Sequence, residues 1–198
     1  MTKGEQTREM ILERAAPLFN QQGYFGSSLS DLMRVTGLEK GGIYNHFASK
    51  EQLALEAFDY AFGVHTQHMR MALANKKHAV ERLHGLIAYF LEIIENPPVP
   101  GGCPILNTAV ESDDAHPALR DRARRGMNEL RGTLERILRR GIERQEIRPD
   151  VDVAAITTVF IATMEGAVML SKLYQDPLYV RQAGEHLGRY IDTELRSL

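Results

Sequence analysis

Three observations predict an all-α fold of about nine helices. Apolar residues recur three and four positions apart along most of the chain, which places them on one face of a helix. Alternation of apolar and polar residues, the pattern of a half-buried strand, is rare. Glycine and proline mark the ends of the long periodic segments, where they begin or end helices.

Composition limits the class of protein. Of 198 residues, 43% are hydrophobic and 25% are charged, which is ordinary for a soluble globular protein with a sizeable core. The first ten residues contain no apolar run, so we expect no signal peptide, and the single cysteine excludes an internal disulfide framework. These features predict a cytoplasmic protein. The formal net charge of −2 does not indicate a nucleic-acid partner, so any such affinity must come from local placement of charge.

The first helix is predicted over residues 7–22, with a single apolar stripe that runs from Ile11 to Phe19. Pro17 lies inside this helix and removes one backbone hydrogen bond, so we expect a kink or a loosened turn there. Gly23 is expected to end the helix.

Two short helices joined by a tight turn follow. Ser28 is placed to cap the first, and Gly37 ends it, because glycine readily takes the left-handed conformation that reverses the chain. The second is predicted over residues 39–47, with Ile43 and Phe47 four positions apart and facing inward. This arrangement is typical of a helix-turn-helix.

The outer face of the second helix carries hydrogen-bond donors and two glycines that allow close backbone approach. Lys40 and Asn45 have the reach to contact base edges or phosphates, and Tyr44 and His46 can donate to phosphate oxygens. This pattern predicts a DNA-reading surface. The alternative is that Tyr44 and Phe47 are core aromatics of an ordinary helical hairpin.

A third helix is expected to begin at Lys50, with Ser49 as its cap. Backbone amides at a helix N-terminus, together with the Lys50 ammonium, suit a phosphate of the nucleic-acid backbone.

Residues 27–51, SSLSDLMRVTGLEKGGIYNHFASKE, resemble the N-terminal domain of TetR-type transcriptional repressors, and the resemblance extends from residue 7 to about residue 55. It implies a homodimer in which each recognition helix enters a major groove, and a larger helical domain that binds an effector and releases the DNA. Glu39 replaces the usual Ser or Thr cap, and Gly42 replaces a commoner Thr, Ala or Ser. The DNA contacts implied by position are Ser28, Glu39, Lys40, Gly41, Gly42, Tyr44, Asn45, His46 and Lys50.

The expected domains are a three-helix helix-turn-helix domain, residues 1–55, and a helical-bundle domain for effector binding and dimerisation, residues 56–198. A long helix over residues 50–75 connects them, and further helices are predicted over residues 78–95, 103–112, 117–145, 153–173 and 177–195. Many arginines in the segment 117–145 fall off its apolar stripe. We expect a solvated face paired with nearby glutamates, with a second nucleic-acid surface as the alternative.

The segment 153–173 is the most apolar helix, and Asp152 is placed to cap it. The segment is long enough to span a membrane, but its threonines, Glu165 and Gly166 favour a helix in the core of a soluble protein. We therefore expect no membrane partner. A helix that is apolar all round is expected to be buried on all sides. In a TetR-like architecture this means contact with the effector cavity and with the partner subunit, through a homodimer interface formed by the last two helices.

Cys103 has two interpretations. At a helix N-terminus the macrodipole favours the thiolate, and Gly101 and Gly102 are expected to leave it accessible. The context resembles family members in which a cysteine in a G-C-x-x-x-N-x-x-x-E motif senses electrophiles or oxidants. The favoured alternative is a small buried hydrophobic residue.

Glu165 and two histidines are the remaining candidates for effector chemistry. Glu165 is expected to pair with an inward-facing arginine, with a cationic effector as the alternative. His65 and His68 lie three positions apart on one helix. Zinc needs three or four ligands, so we expect no metal site and no cofactor.

The effector pocket is predicted to combine apolar and aromatic side chains with a few polar ones. The candidates are Phe62, His65, Met69, Phe90, Cys103, Asn107, Met127, Phe160, Met164 and Glu165. We therefore expect a homodimeric repressor that a small apolar or aromatic effector releases from a pseudo-palindromic double-stranded DNA operator. The alternatives are a repressor switched through Cys103, and a helical enzyme or ligand carrier that binds no DNA. No local triad or phosphate-loop spacing supports an enzyme.

Overall fold

The computed structural model describes residues 2–112 and 115–197, and within them the fold is all-α as predicted. A single antiparallel bridge between Ile147 and Arg196 is the only strand-like pairing in this part of the chain. The elements are α1 (Lys3–Gly26), α2 (Leu29–Thr36), α3 (Lys40–Tyr44), α4 (Lys50–Leu73), α5 (Ala79–Glu95), α6 (Pro104–Ser112), α7 (Pro117–Glu143), α8 (Val153–Tyr174), α9 (Leu178–Tyr190) and a π-helical turn (Ile191–Leu195).

The chain forms two compact units. The first contains the residues up to 65 together with 98–126, and the second contains 66–97 together with the residues from 127 onward. Helices α4 and α7 each contribute to both units. The predicted domain division after residue 55 stays a prediction.

The core of the first unit joins its N-terminal helices. Ile11 of α1, Leu32 of α2, Ile43 of α3 and Leu53 of α4 are each at most 1% exposed and belong to one apolar cluster, which also contains Phe47. Each such side chain contributes about 1.5–3 kcal/mol by leaving water. These contacts hold the short helices α2 and α3 against α1.

The break within α1 lies at Gly23, not at Pro17. Gly23 has a positive φ angle and non-helical dihedral angles (φ 75°, ψ 172°), whereas the backbone at Pro17 stays helical. The predicted kink at Pro17 is therefore wrong. Its neighbours Ala16 and Leu18 are buried, and their core contacts keep the helix continuous despite the missing N–H group.

The second unit is built on contacts among α5, α8 and α9. Its core includes Leu83, Leu86 and Phe90 of α5 and Met164 and Val168 of α8, all at most 1% exposed. The ring of Phe90 also packs edge-on against Phe160, with 6.5 Å between the ring centroids.

Helix α8 is not buried on all sides within one chain. Val159, Met169 and Leu173 are each more than half exposed, so burial on all sides would require the predicted partner subunit and stays a prediction. Tyr174 at its end and Leu178 at the start of α9 are also exposed. Among the described helices, α8 alone is long and apolar enough to cross a membrane, a property that it shares with core helices of soluble proteins.

Candidate nucleic-acid interface

Helix α2 is held by hydrogen bonds of its own side chains. The hydroxyl of Ser28 accepts a bond from the Asp31 backbone N–H (3.1 Å), and the Asp31 carboxylate accepts one from the Ser28 N–H (3.0 Å). Arg34 donates to the same carboxylate at 3.0 Å. The bonds from Ser28, and then that from Arg34, lower the pKa of Asp31 to about 2. The predicted cap is confirmed, and the Ser28 hydroxyl already has a structural function.

The turn after α2 has the predicted geometry. Gly37 is left-handed (φ 70°, ψ 16°), and its N–H donates to the Met33 carbonyl at 2.9 Å. Arg14 of α1 donates to the Thr36 carbonyl at 3.0 Å and so attaches this turn to α1. Arg14 was not predicted from the sequence, because a contact between residues 22 positions apart leaves no local pattern.

Helix α3 is shorter than predicted. It ends at Tyr44 instead of residue 47, because the Ile43 carbonyl accepts from both the His46 and the Phe47 N–H groups (3.0 and 3.2 Å) and the chain tightens into a turn. Asn45 and His46 therefore belong to this turn and not to the helix. Ile43 and Phe47 are 1% exposed, as predicted.

The outer face of α3 is open. Glu39, Lys40, Gly41 and Asn45 are exposed, whereas Gly42, Tyr44 and His46 are half-buried. Glu39 makes no side-chain cap to the helix, and no side chain lies within 4 Å of the position that a Cβ on Gly41 would occupy. The Lys40 ammonium lies 6.0 Å from the centre of the Tyr44 ring. This surface therefore combines two glycines with a lysine ammonium, an asparagine amide and a tyrosine phenol.

Lys50 points into the protein. Its ammonium donates to the Tyr24 backbone carbonyl at 2.6 Å and lies 4.4 Å from the centre of the Tyr24 ring. Partial burial lowers the pKa of Lys50, and the nearby Glu111 carboxylate opposes this effect. Ser49 caps α4 as predicted, through a bond from the Gln52 N–H at 3.0 Å. A phosphate contact at Lys50 stays a prediction.

Helix α6 is attached to the C-terminal part of α1 by two side chains, which we call the α6–α1 clamp. The Glu111 carboxylate accepts the backbone N–H groups of Tyr24 and Phe25, both at 2.9 Å. The Asn107 amide donates to the Asn20 carbonyl (2.9 Å) and to the Gly101 carbonyl (2.8 Å). The clamp therefore fixes the segment that leads directly into α2.

Cys103 lies just before the first residue of α6 and is only 6% exposed. The favoured interpretation as a buried residue is confirmed and the expected accessibility is wrong, although Gly101 and Gly102 do have positive φ angles (115° and 79°). The glycine loop is turned toward α1, where the Asn20 side chain donates to the Gly102 carbonyl at 3.0 Å. This packing covers the thiol.

The remaining effector-pocket candidates are mostly buried, and their grouping stays a prediction. Phe62 and His65 belong to the first unit. His65 and Glu165 are 2% and 6% exposed. The candidates in the second unit are Met69, Phe90, Met127, Phe160, Met164 and Glu165. A cavity of about 20 Å³ in the first unit, bounded by α1, α4 and α6, contains none of the ten candidates in its lining and has room for about one water molecule.

No three His, Cys, Asp or Glu side chains converge on a possible metal position within residues 2–112 and 115–197. His68, one of the two histidines considered for such a site, instead faces Glu92 at 3.9 Å.

Comparison with known proteins supports the same architecture. A family model described as "Tetracyclin repressor-like, C-terminal domain" matches residues 79–187, and one described as "Bacterial regulatory proteins, tetR family" matches residues 11–57. The transcriptional repressor DhaR of Mycobacterium sp. (strain GP1) is 27% identical over 84% of this chain and 82% of that protein. The regulator LmrA of Bacillus subtilis is 30% identical over 83% of this chain and 86% of its own length.

Among solved structures, a TetR transcriptional regulator from Chloroflexus aurantiacus covers all of both chains with a TM-score of 0.96 and 48% sequence identity. The two family models and this relative together show that the chain belongs to the TetR family of transcriptional regulators.

Proposed function

We propose that this DNA-binding regulator is a homodimeric repressor that a small apolar or aromatic effector releases from a pseudo-palindromic operator. The observation that carries the DNA-binding part is the exposed outer face of α3, which buried Ile43 and Phe47 hold in place after the left-handed turn at Gly37. A helix presented in this way is suited to a major groove.

The DNA contacts divide by chemistry. Lys40 and Asn45 are exposed, and they are the proposed readers of base edges. Tyr44 and His46, half-buried beside them, are the proposed phosphate donors that set the register on the duplex. Gly41 has open space around it and allows the backbone to approach the DNA closely. Glu39 and Gly42 lie on the same surface as further proposed contacts.

The homodimer is proposed through α8 and α9. These helices pack against each other and leave Val159, Met169, Leu173, Tyr174 and Leu178 exposed. Exposed large apolar side chains concentrated on two adjacent helices are typical of a protein–protein interface. The repressor role is supported by DhaR, which is described as a transcriptional repressor.

Effector release is proposed to act as a population shift. An effector that binds one conformation better must gain about 5.5 kcal/mol of differential affinity to reverse the occupancy ratio from 99:1 to 1:99. The α6–α1 clamp provides a route within the first unit, because a displacement of α6 would disturb the amides of Tyr24 and Phe25 next to α2. The pocket candidates in residues 56–198 remain the proposed effector contacts.

The DNA-binding proposal is tested by fluorescence anisotropy with duplexes that flank the protein's own gene, followed by selection from random duplexes. We expect saturable binding of one dimer per pseudo-palindrome that weakens steeply with salt. Asn45→Ala should weaken binding about tenfold, since one good base contact is worth about 1–3 kcal/mol. Tyr44→Ala should weaken binding to all sequences alike.

Asn128→Ala is the matched control, because Asn128 is an exposed asparagine on α7 in the second unit. The Asn128→Ala variant should bind the duplex with the same affinity as the unchanged protein. Failure of every duplex to bind would favour a helical ligand carrier or enzyme, whereas equal losses in Asn45→Ala and Asn128→Ala would reject the proposed interface.

A switch through Cys103 is the second candidate, and the position of the thiol directly before α6 favours it. Oxidation or alkylation there would enlarge a side chain that packs at the start of the clamped helix. Cys103→Ser should abolish release from DNA by an oxidant or electrophile while leaving release by a non-covalent effector intact. Release by oxidant that persists in Cys103→Ser would eliminate this candidate, since Cys103 is the only cysteine.

A further inference from the structure

A strongly basic groove lies in the second unit, between the loop that follows α4, the start of α5 and the C-terminal part of α7. It is open to solvent and has a volume of about 380 Å³. Six cationic side chains line it: Lys76, Lys77, Arg82, Arg136, Arg140 and Arg144. Glu146 is the only carboxylate among its described lining residues, and it accepts the Ala79 backbone N–H at 2.7 Å.

Three arginines of the basic groove stand in one row. Arg136, Arg140 and Arg144 are spaced four residues apart, a spacing at which like charges on a helical face repel each other. None of the three forms an ion pair with a carboxylate of the described residues. On another face of α7, Arg131 and Arg139 both pair with Glu135 (3.5 and 3.8 Å). The solvated, paired face expected from the sequence therefore describes only part of this helix.

The walls of the basic groove are held in position by the protein. Arg82 donates to the Lys76 carbonyl at 3.1 Å, and Arg144 lies 3.4 Å from the Lys77 carbonyl. The aliphatic part of Lys76 covers Gly85, where an added Cβ would stand 2.8 Å from it. Arg82, Arg144 and Lys76 are therefore positioned in the folded chain before any ligand arrives, and Arg136 and Arg140 are exposed beside them.

We propose that the basic groove binds a small polyphosphate, either an inorganic one or the phosphate group of a nucleoside di- or triphosphate. Arginine guanidinium groups bind phosphate oxygens through paired N–H donors, and a multiply charged anion relieves the repulsion within the arginine row. The volume falls within the range of about 300–1,000 Å³ typical of small-molecule sites. A concave groove also suits a small anion better than a duplex, whose charges are spread along a rod.

Isothermal titration calorimetry on the full chain tests this inference with inorganic pyrophosphate, ADP and adenosine. Pyrophosphate should bind saturably and more weakly as salt rises, and adenosine should not bind. Arg136→Gln and Arg140→Gln should each weaken pyrophosphate binding about tenfold or more, because each removes a charged hydrogen bond. Tighter binding of ADP than of pyrophosphate identifies a nucleotide site, and equal binding identifies a site for the polyphosphate alone.

Arg139→Gln is the matched control, because it removes one arginine of the same helix outside the basic groove. It should leave pyrophosphate binding unchanged. Thermal unfolding keeps the test independent of folding defects: Arg140→Gln without ligand should melt no lower than the unchanged protein, since repulsion is relieved, but should lose the rise in Tm caused by pyrophosphate. Absence of saturable pyrophosphate binding, equal losses in Arg139→Gln, or an effect of Arg140→Gln on duplex binding alone would overturn the inference.

Discussion

Helices α2 and α3 belong to one helix-turn-helix but are stabilised in different ways. Helix α2 has a reciprocal cap from Ser28 and Asp31 and a left-handed end at Gly37. Helix α3 has five residues, two of them glycine, and its capping residue Glu39 makes no side-chain bond to it. A helix of this length and composition is far from stable alone.

The difference shows where the motif's stability lies. Local hydrogen bonds support α2, whereas α3 depends on the burial of Ile43 and Phe47 in the common core. The exposed side chains of α3 therefore contribute little to holding it in place. Their substitution should therefore preserve the fold, which is useful for a surface that distinguishes DNA sequences.

Removal of Phe47, which anchors α3 in the core, should have the largest effect on stability. Phe47→Ala should lower the free energy of unfolding by about 3–5 kcal/mol, because it removes a side chain that is 1% exposed and leaves a cavity. Urea denaturation followed by circular dichroism measures the loss. Phe25→Ala is the control, since Phe25 is 58% exposed and should change stability much less. Equal losses in the two variants would contradict the assignment of Phe47 as the anchor.

Removal of the α2 cap should have a smaller effect. Ser28→Ala should lower the free energy of unfolding by about 1 kcal/mol, because the Asp31 N–H loses its side-chain acceptor. The same denaturation experiment measures it. Ser30→Ala, an exposed position within α2, should change stability by less than about 0.5 kcal/mol. A loss as large as that in Phe47→Ala would mean that α2 is not locally stabilised.

Gly41→Ala should separate stability from recognition. The added methyl meets nothing within 4 Å, so the free energy of unfolding should rise by about 0.5–1 kcal/mol through better helix propensity. Operator affinity should fall in the anisotropy experiment, because the methyl stands on the outer face. Gly132→Ala on α7, where an added methyl also meets nothing within 4 Å, should raise stability and leave operator affinity unchanged.

The smallest expected effect is on the pH dependence of stability. Asp31 has a pKa of about 2 in the folded chain, below its ordinary value of 3.8. Its contribution is therefore fully present above about pH 4 and is lost as the pH falls toward 2. Asp31→Asn should flatten this part of the plot of unfolding free energy against pH. Identical slopes in the two proteins would contradict the role given to the Ser28 bonds.

Features that depend on neighbouring residues were predictable from the sequence. The caps at Ser28 and Asp152 and the left-handed end at Gly37 were predicted and confirmed, whereas Gly23 breaks α1 without ending it at the predicted residue. A cap is a contact across two or three residues, so its residue types carry the information. The nine α-helices found within residues 2–112 and 115–197 were predicted for the same reason, because helical periodicity is a local pattern.

Features that depend on distant contacts were not predictable. The direction of Lys50 and the α6–α1 clamp depend on contacts with α1 or its end, across 26 to 87 residues. One signal was available: Asn107 and Glu111 are spaced four apart, which places them on one face of α6. The spacing indicates a common direction but does not identify the partner.

The α6–α1 clamp has a thermodynamic consequence. Coupling free energies are reciprocal, so a ligand that changes operator affinity through α6 must have its own affinity changed by the operator by the same factor. The operator is then itself an effector of α6. Amide hydrogen exchange at Tyr24 and Phe25, whose two N–H groups donate to one carboxylate, would report this influence from the DNA side.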